Sequence, residues 1–249
     1  MAAHIYNIRM NENTRALLID LNRTFYQTFA QDFSATRQRL QPGVMSLLEK
    51  FAGQNNILDI GCGNCQLGKV LIDRGYQGLY TGLDSNAEFL EIARGVLPEN
   101  NKTALVHSDI TTSNWNLDLP GNQYDIVLAF AVLHHVPGSE LRKQILMKIA
   151  DLTAPDARFF HSEWQFLNSP RLRSRIQPWE SIGMTAEDIE GGDYLVDWRS
   201  GGHGLRYVHI FDLQELETLA LETGFEIIES VHSDGEGGNL GLYQIWKRL

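Results

Sequence analysis

The stretch ILDIGCGNCQLG, residues 57–68, decides the fold of this 249-residue chain. It starts as a short apolar strand, turns at Gly61 and Gly63, and continues into a helix from Gln66. Glycine lets the backbone pass close to a ligand where a Cβ atom would collide. The third glycine of a dinucleotide fingerprint would fall on Gln66, which disfavours a nicotinamide-dinucleotide site.

On both sides of this stretch, short apolar runs alternate with amphipathic ones. Strands are predicted at 56–60, 79–83, 103–107, 124–130, 157–162, 225–231 and 242–247. Helices are predicted at 12–31, 36–52, 66–74, 86–95 and 139–152, and from Asp212 onward. Residues 163–208 show no clear periodicity. This rhythm predicts an α/β fold: a doubly wound, mainly parallel, Rossmann-like seven-stranded sheet with N-terminal helices and an insertion after the fifth strand.

The length suits one domain over 1–249. We divide it into an N-terminal helical cap (1–52), a ligand-binding core (53–162), a substrate-side insertion (163–211) and a C-terminal helix with strands (212–249). No apolar run approaches the ~18 residues of a membrane span, so no membrane association is expected. The first residues, MAAHIYNIRM, do not resemble a signal peptide, and we expect a cytoplasmic location.

Two further features limit the possible partners. The net charge of −10 argues against non-specific nucleic-acid binding, which depends on Lys and Arg. Cys62 and Cys65 form a CxxC pair, but no second pair supplies the four ligands of a structural zinc. We therefore expect no metal and interpret the cysteines as small residues in a glycine turn.

Acidic residues follow successive predicted strands. Asp59 precedes the glycines and is placed to meet a cationic amino group. Asp84 suits the two hydroxyls of a ribose, and Asp109 can accept from the exocyclic amine of adenine. The residues expected to contact the cofactor are Asp59, Gly61, Cys62, Gly63, Asn64, Asp84, Ser85, Asp109, Ile110, Phe130 and Ala131.

This ordered series resembles the motifs of the class I methyltransferases, which implies S-adenosylmethionine as the cofactor. The segments FAQDFSATR, AVLHHV and RYVHIF further resemble the tRNA wobble-uridine carboxymethyl methyltransferases, over about residues 25–230. The resemblance implies a tRNA substrate, with a small activator protein as a possible partner. It places Arg37 at the entrance for the cofactor or substrate, and His134 and His135 at the rim of the active site. The substrate-side wall it implies consists of Trp198, Arg199, Arg206, Tyr207 and His209.

A carboxylate acceptor is already ionised at neutral pH and needs a cation rather than a base. Arg206, Arg199 or Arg37 can grip it with two parallel hydrogen bonds. His135 or His209 becomes a candidate base only for a hydroxyl or amine acceptor. Each residue also has a structural alternative. The arginines can be surface or loop cations, and His134 and His135 can support the loop after the fourth strand. Tyr207 and His209, which share one face of a short strand, can be core residues.

The basic run RLRSR at 171–175 is either a phosphate-contacting patch or a solvated loop. Three functions remain open at this point. The first is tRNA methylation, and the second is O- or N-methylation of a small molecule, which the acidic charge favours. The third is cofactor binding without catalysis.

Overall fold

The computed structural model describes residues 9–51, 55–98, 100 and 102–249. The helices are α1 (Glu12–Thr28), α2 (Ala30–Thr36), α3 (Pro42–Leu47), α4 (Gln66–Asp73), α5 (Ala87–Val96), α6 (Ser139–Leu152), α7 (Pro170–Arg173) and α8 (Leu213–Glu222). The strands are β1 (Ile57–Ile60), β2 (Tyr80–Asp84), β3 (Thr103–His107), β4 (Tyr124–Phe130), β5 (Thr153–Trp164), β6 (Ile176–Gln177), β7 (Asp193–Trp198), β8 (Gly204–His209), β9 (Phe225–Ser233) and β10 (Gly241–Arg248).

Seven strands form the main sheet, in the order β3-β2-β1-β4-β5-β10-β9. β1 pairs in parallel with β2 and β4, while β10 pairs antiparallel with β5 and β9. The mainly parallel seven-stranded sheet is therefore confirmed. The strand order reverses direction beside β1, and ligands of such sheets bind at this switch point, outside the carboxyl ends of the strands.

Both faces of the sheet are covered by apolar side chains, as a parallel sheet requires. All four residues of β1 are buried, which explains its unbroken apolar character. Leu146 of α6 and Leu216 of α8 pack on one face. Leu47 of α3 and Leu71 of α4 pack on the other. The sheet is thus held rigid between two helical layers, and this fixes the ends of its strands.

The N-terminal helices differ from the expected ranges. α1 starts where the Asn11 side chain accepts from the Thr14 amide at 2.9 Å, but it ends at Thr28. Phe29 leaves helical geometry before α2 begins. The helix expected over 36–52 is shorter in the structure. It begins at Pro42, since proline favours the first position of a helix, and it ends at Leu47. Positions 52–54 lie outside the described residues.

The insertion is more regular than its sequence indicates. β6, β7 and β8 form a second, antiparallel sheet with the order β6-β7-β8. Asn22 of α1 binds this sheet, because its side chain accepts from the Tyr207 amide at 2.8 Å and donates to the Tyr207 carbonyl at 3.1 Å. Within the described part of the chain, no helix is long and apolar enough to cross a membrane.

Candidate functional site

A cavity of about 770 Å³ lies at the carboxyl ends of the parallel strands. The main sheet forms its floor, and α1, α2 and the insertion close its sides. Every residue expected to contact the cofactor lines this cavity: Asp59, Gly61, Cys62, Gly63, Asn64, Asp84, Ser85, Asp109, Ile110, Phe130 and Ala131.

The glycine turn after β1 leaves room for a ligand. Gly61 and Gly63 have φ of +67° and +54°, values that disfavour other residues. A Cβ atom on Gly61 would lie 2.5 Å from the Val132 side chain. A Cβ atom on Gly63 would meet nothing within 4 Å, because this glycine faces open space. The turn is therefore a cradle that fits a cofactor lying against its backbone.

Asp84 is fixed in place at the end of β2. Its two carboxylate oxygens accept from the amides of Gly63 and Asn86, both at 2.8 Å. Burial raises the pKa of Asp84, and these backbone bonds act in the opposite direction. Each oxygen keeps a second lone pair, as gripping a diol requires.

The other two acids have partners as well. Asp59 is buried and accepts from the Tyr80 hydroxyl at 2.6 Å. Burial raises the pKa of Asp59 to about 7, so a cationic ligand group would favour its ionised form. Asp109 accepts from the Thr111 amide at 2.9 Å and forms an ion pair with Arg23 at 3.2 Å.

Arg206 dominates the opposite wall of the cavity. The residue is only 6% exposed, and its guanidinium lies 4.9 Å from the ring centre of Trp164 and 5.5 Å from that of Trp198. Its Nε is buried and has no hydrogen-bond partner among the described residues. These residues also include no carboxylate within ion-pair distance of Arg206. A buried cation that faces a cavity and has no acidic partner is suited to bind an anion.

His135 lines the cavity beside Tyr26. The Tyr26 hydroxyl lies 2.7 Å from Nε2 of His135, and Nδ1 lies 3.2 Å from the Tyr207 carbonyl. Because a carbonyl can only accept, Nδ1 carries the proton and Nε2 accepts from Tyr26. Burial and the nearby Arg206 lower the pKa of His135 to about 3. A neutral imidazole this hard to protonate is a weak general base.

Three residues expected on the substrate side lie outside the cavity, which corrects that expectation. Tyr207 is buried and donates to Asp193 at 2.6 Å, while His209 lies between Asp193 (2.7 Å) and Glu215 (2.9 Å). The reason is strand alternation, because neighbours in β8 point to opposite faces and Arg206 takes the cavity face. Arg199 points outward and pairs with Asp197 at 2.7 Å.

The structure adds residues that the sequence patterns did not single out as ligands. Tyr26 and Trp164 line the cavity, and nothing in their local sequence marks them. Arg171 and Arg175 of the basic run also face it, whereas Arg173 does not. Together with Arg37, these arginines place positive charge on the acceptor side.

Comparisons with known proteins bear on the fold and on the family of its core. Residues 58–159 match the family model described as a methyltransferase domain. This segment of the chain is therefore similar to methyltransferase domains. A solved SAM-dependent methyltransferase from Methanosarcina mazei is similar in fold, with a TM-score of 0.63 and 23% identity over 84% of this chain and 98% of its own. The chain thus has the Rossmann-like fold of the class I methyltransferases.

Two relatives match most of the chain. A protein of Encephalitozoon cuniculi that is named as a methyltransferase is 25% identical over 209 residues, which cover 82% of this chain and 87% of the relative. A tRNA (carboxymethyluridine(34)-5-O)-methyltransferase of Schizosaccharomyces pombe is 27% identical over 219 residues, which cover 82% of this chain and 88% of the relative. Both matches extend beyond the cofactor-binding core.

Proposed function

We propose that this protein transfers a methyl group from S-adenosylmethionine to a carboxylate on its acceptor, forming a methyl ester. The observation that carries the proposal is the buried guanidinium of Arg206, which has no acidic partner among the described residues. A carboxylate is the anion that a guanidinium binds with two parallel hydrogen bonds.

The cofactor fits the part of the cavity that lies against the carboxyl ends of the parallel strands. The cofactor would lie against the backbone of the turn at Gly61 and Gly63. Asp84 would bind its ribose, and Asp59 would bind its amino group. When bound, S-adenosylmethionine supplies a methyl group that is already activated on a sulfonium. The protein's contribution is then to align the acceptor and exclude water.

The state of His135 supports a carboxylate acceptor over a hydroxyl or amine. A carboxylate with an ordinary pKa of ~4 has already lost its proton at neutral pH. Because burial and Arg206 keep the pKa of His135 at about 3, the histidine beside the acceptor space is poorly suited to remove a proton. An acceptor that needs no base suits such a site.

We further propose that the carboxylate is the carboxymethyl group of a tRNA wobble uridine. The name of the Schizosaccharomyces pombe relative supports this acceptor. So do Arg37, Arg171 and Arg175, which face the cavity and can contact phosphates. A cytoplasmic location and a small activator protein belong to the same proposal. The net charge of −10 favours the second candidate, a small carboxylic acid as acceptor.

The test compares two anticodon stem-loop RNAs in the presence of methyl-labelled S-adenosylmethionine. One carries carboxymethyluridine and the other carries its carbamoylmethyl counterpart, in which an amide replaces the carboxylate. We expect label only in the first RNA, and mild alkali should release it because the product is an ester. Alkali-stable label would overturn ester formation. Label that enters only the small acids of a metabolite extract would instead support the second candidate, in which the acceptor is a small carboxylic acid.

A further inference from the structure

Three buried side chains form a chain of hydrogen bonds where β5 ends beside the turn Leu133–His135. Nδ1 of His161 lies 3.0 Å from one carboxyl oxygen of Glu163, and Nδ1 of His134 lies 3.1 Å from the other. All three residues are at most 2% exposed. Glu163 and His134 line the cavity, whereas His161 lies behind them.

The position of one backbone amide decides where the protons lie. The Trp164 amide donates to Nδ1 of His134 at 3.2 Å. Since this nitrogen already accepts a hydrogen, it carries a lone pair and no proton. Because two lone pairs 3.1 Å apart would repel each other, the proton between His134 and Glu163 belongs to the carboxyl group, and its O–H shares the single lone pair of Nδ1 with the Trp164 amide. Glu163 is a neutral carboxylic acid, whose other oxygen accepts from Nδ1 of His161.

The surroundings of Glu163, His134 and His161 favour the neutral form of each side chain. Burial, followed by the charge of Glu215, raises the pKa of Glu163 well above its ordinary value. Burial and the neighbouring His135 and Arg206 lower the pKa of His134. Burial lowers the pKa of His161 to about 3, and its ring stacks on Phe159 at 5.0 Å.

A neutral histidine whose Nδ1 accepts must carry its proton on Nε2. The ring of His134 lies 6.5 Å from that of Trp164, the same ring that contacts the guanidinium of Arg206. We propose that Glu163 is a positioning residue: as a protonated acid it fixes His134 as the Nε2–H tautomer, which donates a hydrogen bond to the acceptor carboxylate beside Arg206. This inference rests on the proposed function.

The neutrality of Glu163 also has a direct consequence for binding. An ionised carboxylate in the cavity wall would repel an anionic acceptor and would compete for Arg206. A protonated one leaves the guanidinium free for the acceptor. His134 then adds a directed donor without adding a second buried charge.

The test uses the full chain with Glu163→Gln and Glu163→Leu. Glutamine keeps both hydrogen bonds, because its amide nitrogen donates to His134 and its oxygen accepts from His161. We expect E163Q to retain wild-type kcat and KM. In E163L both bonds are lost, and kcat/KM for the acceptor should fall about tenfold or more while the cofactor affinity stays unchanged. An E163Q enzyme as impaired as E163L would show that an ionised carboxylate is required and would overturn the proposal.

A second readout does not depend on catalysis. NMR of the histidine ring nitrogens, in protein labelled with nitrogen-15 and free of cofactor, should show His134 as the Nε2–H tautomer in the wild type and in E163Q. A proton on Nδ1 of His134 in the wild type would refute the assignment. If the tautomer is as expected and no carboxylate is methylated, the proposed function fails and the proton arrangement stands.

Discussion

At the scale of single residues, Arg206 carries the proposed chemistry, and Arg206→Gln tests it. We expect kcat/KM for the acceptor to fall about 100-fold or more, because a neutral amide cannot replace a charge-assisted double hydrogen bond. The affinity for the cofactor should not change. Steady-state kinetics with varied acceptor and calorimetry with S-adenosylhomocysteine measure the two effects separately.

Arg199→Gln is the matched control, since it removes the same charge from the loop between β7 and β8. Arg199 pairs with Asp197 and lies outside the cavity, so its loss should leave kcat/KM unchanged. Equal losses in the two variants would show that Arg206 acts through general charge rather than by gripping the acceptor.

Asp59 leads to a prediction about stability and pH. Its pKa is about 7 in the folded protein, against a model-peptide value of 3.8. Between pH 3.8 and about 7, the folded state therefore keeps this proton while the unfolded state has released it. The contribution of Asp59 to stability falls as the pH rises through this range. The difference corresponds to at most about 4 kcal/mol.

Asp59→Asn can keep the hydrogen bond from Tyr80 and cannot ionise. We therefore expect D59N without cofactor to be more stable than the wild type at pH 8 and similar to it at pH 4, as measured by urea unfolding. The affinity for S-adenosylmethionine should fall, because the carboxylate for its amino group is lost. A stability difference that does not change with pH would contradict the buried ionisation.

At the scale of elements, the site depends on α1 lying across the insertion. Asn22 accepts from the Tyr207 amide at 2.8 Å, donates to the Tyr207 carbonyl, and also donates to the His135 carbonyl at 3.0 Å. One buried amide thereby joins α1, β8 and the turn that carries His135. The orientation of Arg206, next to Tyr207 in β8, depends on this junction.

Asn22→Leu should lower the free energy of unfolding by about 3 kcal/mol, because leucine leaves buried backbone groups without partners. Asn11→Ala, which removes only the N-cap of the same helix, should cost about 1 kcal/mol. Denaturation in urea measures both. An N22L protein no less stable than N11A would show that the junction is not required to hold α1 in place.

The elements also show how far the sequence predicts the fold. The first four strands of the parallel core were predicted to within one residue at each end, because buried apolar runs between glycine and helix signals leave few alternatives. The fifth strand, predicted over 157–162, is longer and spans Thr153–Trp164. The sheet of β6, β7 and β8 was not predicted, because polar and aromatic residues interrupt the apolar pattern of β7 and β8, and β6 has only two residues. The cofactor residues follow strand ends and could be found, whereas Tyr26 joins the site only through tertiary packing. Glu163 directly follows the strand predicted over 157–162, so the same pattern could have found it.

At the scale of the whole molecule, the cavity wall lacks the acidic excess of the chain. The net charge of the chain is −10, but the six acidic residues that line the cavity are matched by six of the 21 basic residues. These basic residues are Arg23, Arg37, Arg39, Arg171, Arg175 and Arg206. An acidic surface disfavours nucleic acid elsewhere on the molecule. Any RNA would therefore bind through a few local phosphate contacts, and the salt dependence of binding should be modest.

Arg171 and Arg175 are the arginines of this set that belong to the basic run. In the double variant R171Q/R175Q, we expect the logarithm of RNA affinity to depend on the logarithm of salt concentration with a slope shallower by about 1 to 2. Arg173→Gln removes the same charge from the same run, but Arg173 does not line the cavity, so its slope should match the wild type. Fluorescence anisotropy with a labelled anticodon stem-loop measures the affinity of the wild type and of both variants.

R173Q and the double variant are compared by the change in slope for each charge removed. If this change is equal in the two variants, the basic run acts only as a diffuse surface charge. If none of the variants changes the slope, Arg171 and Arg175 do not contact phosphates, and their support for an RNA acceptor is lost.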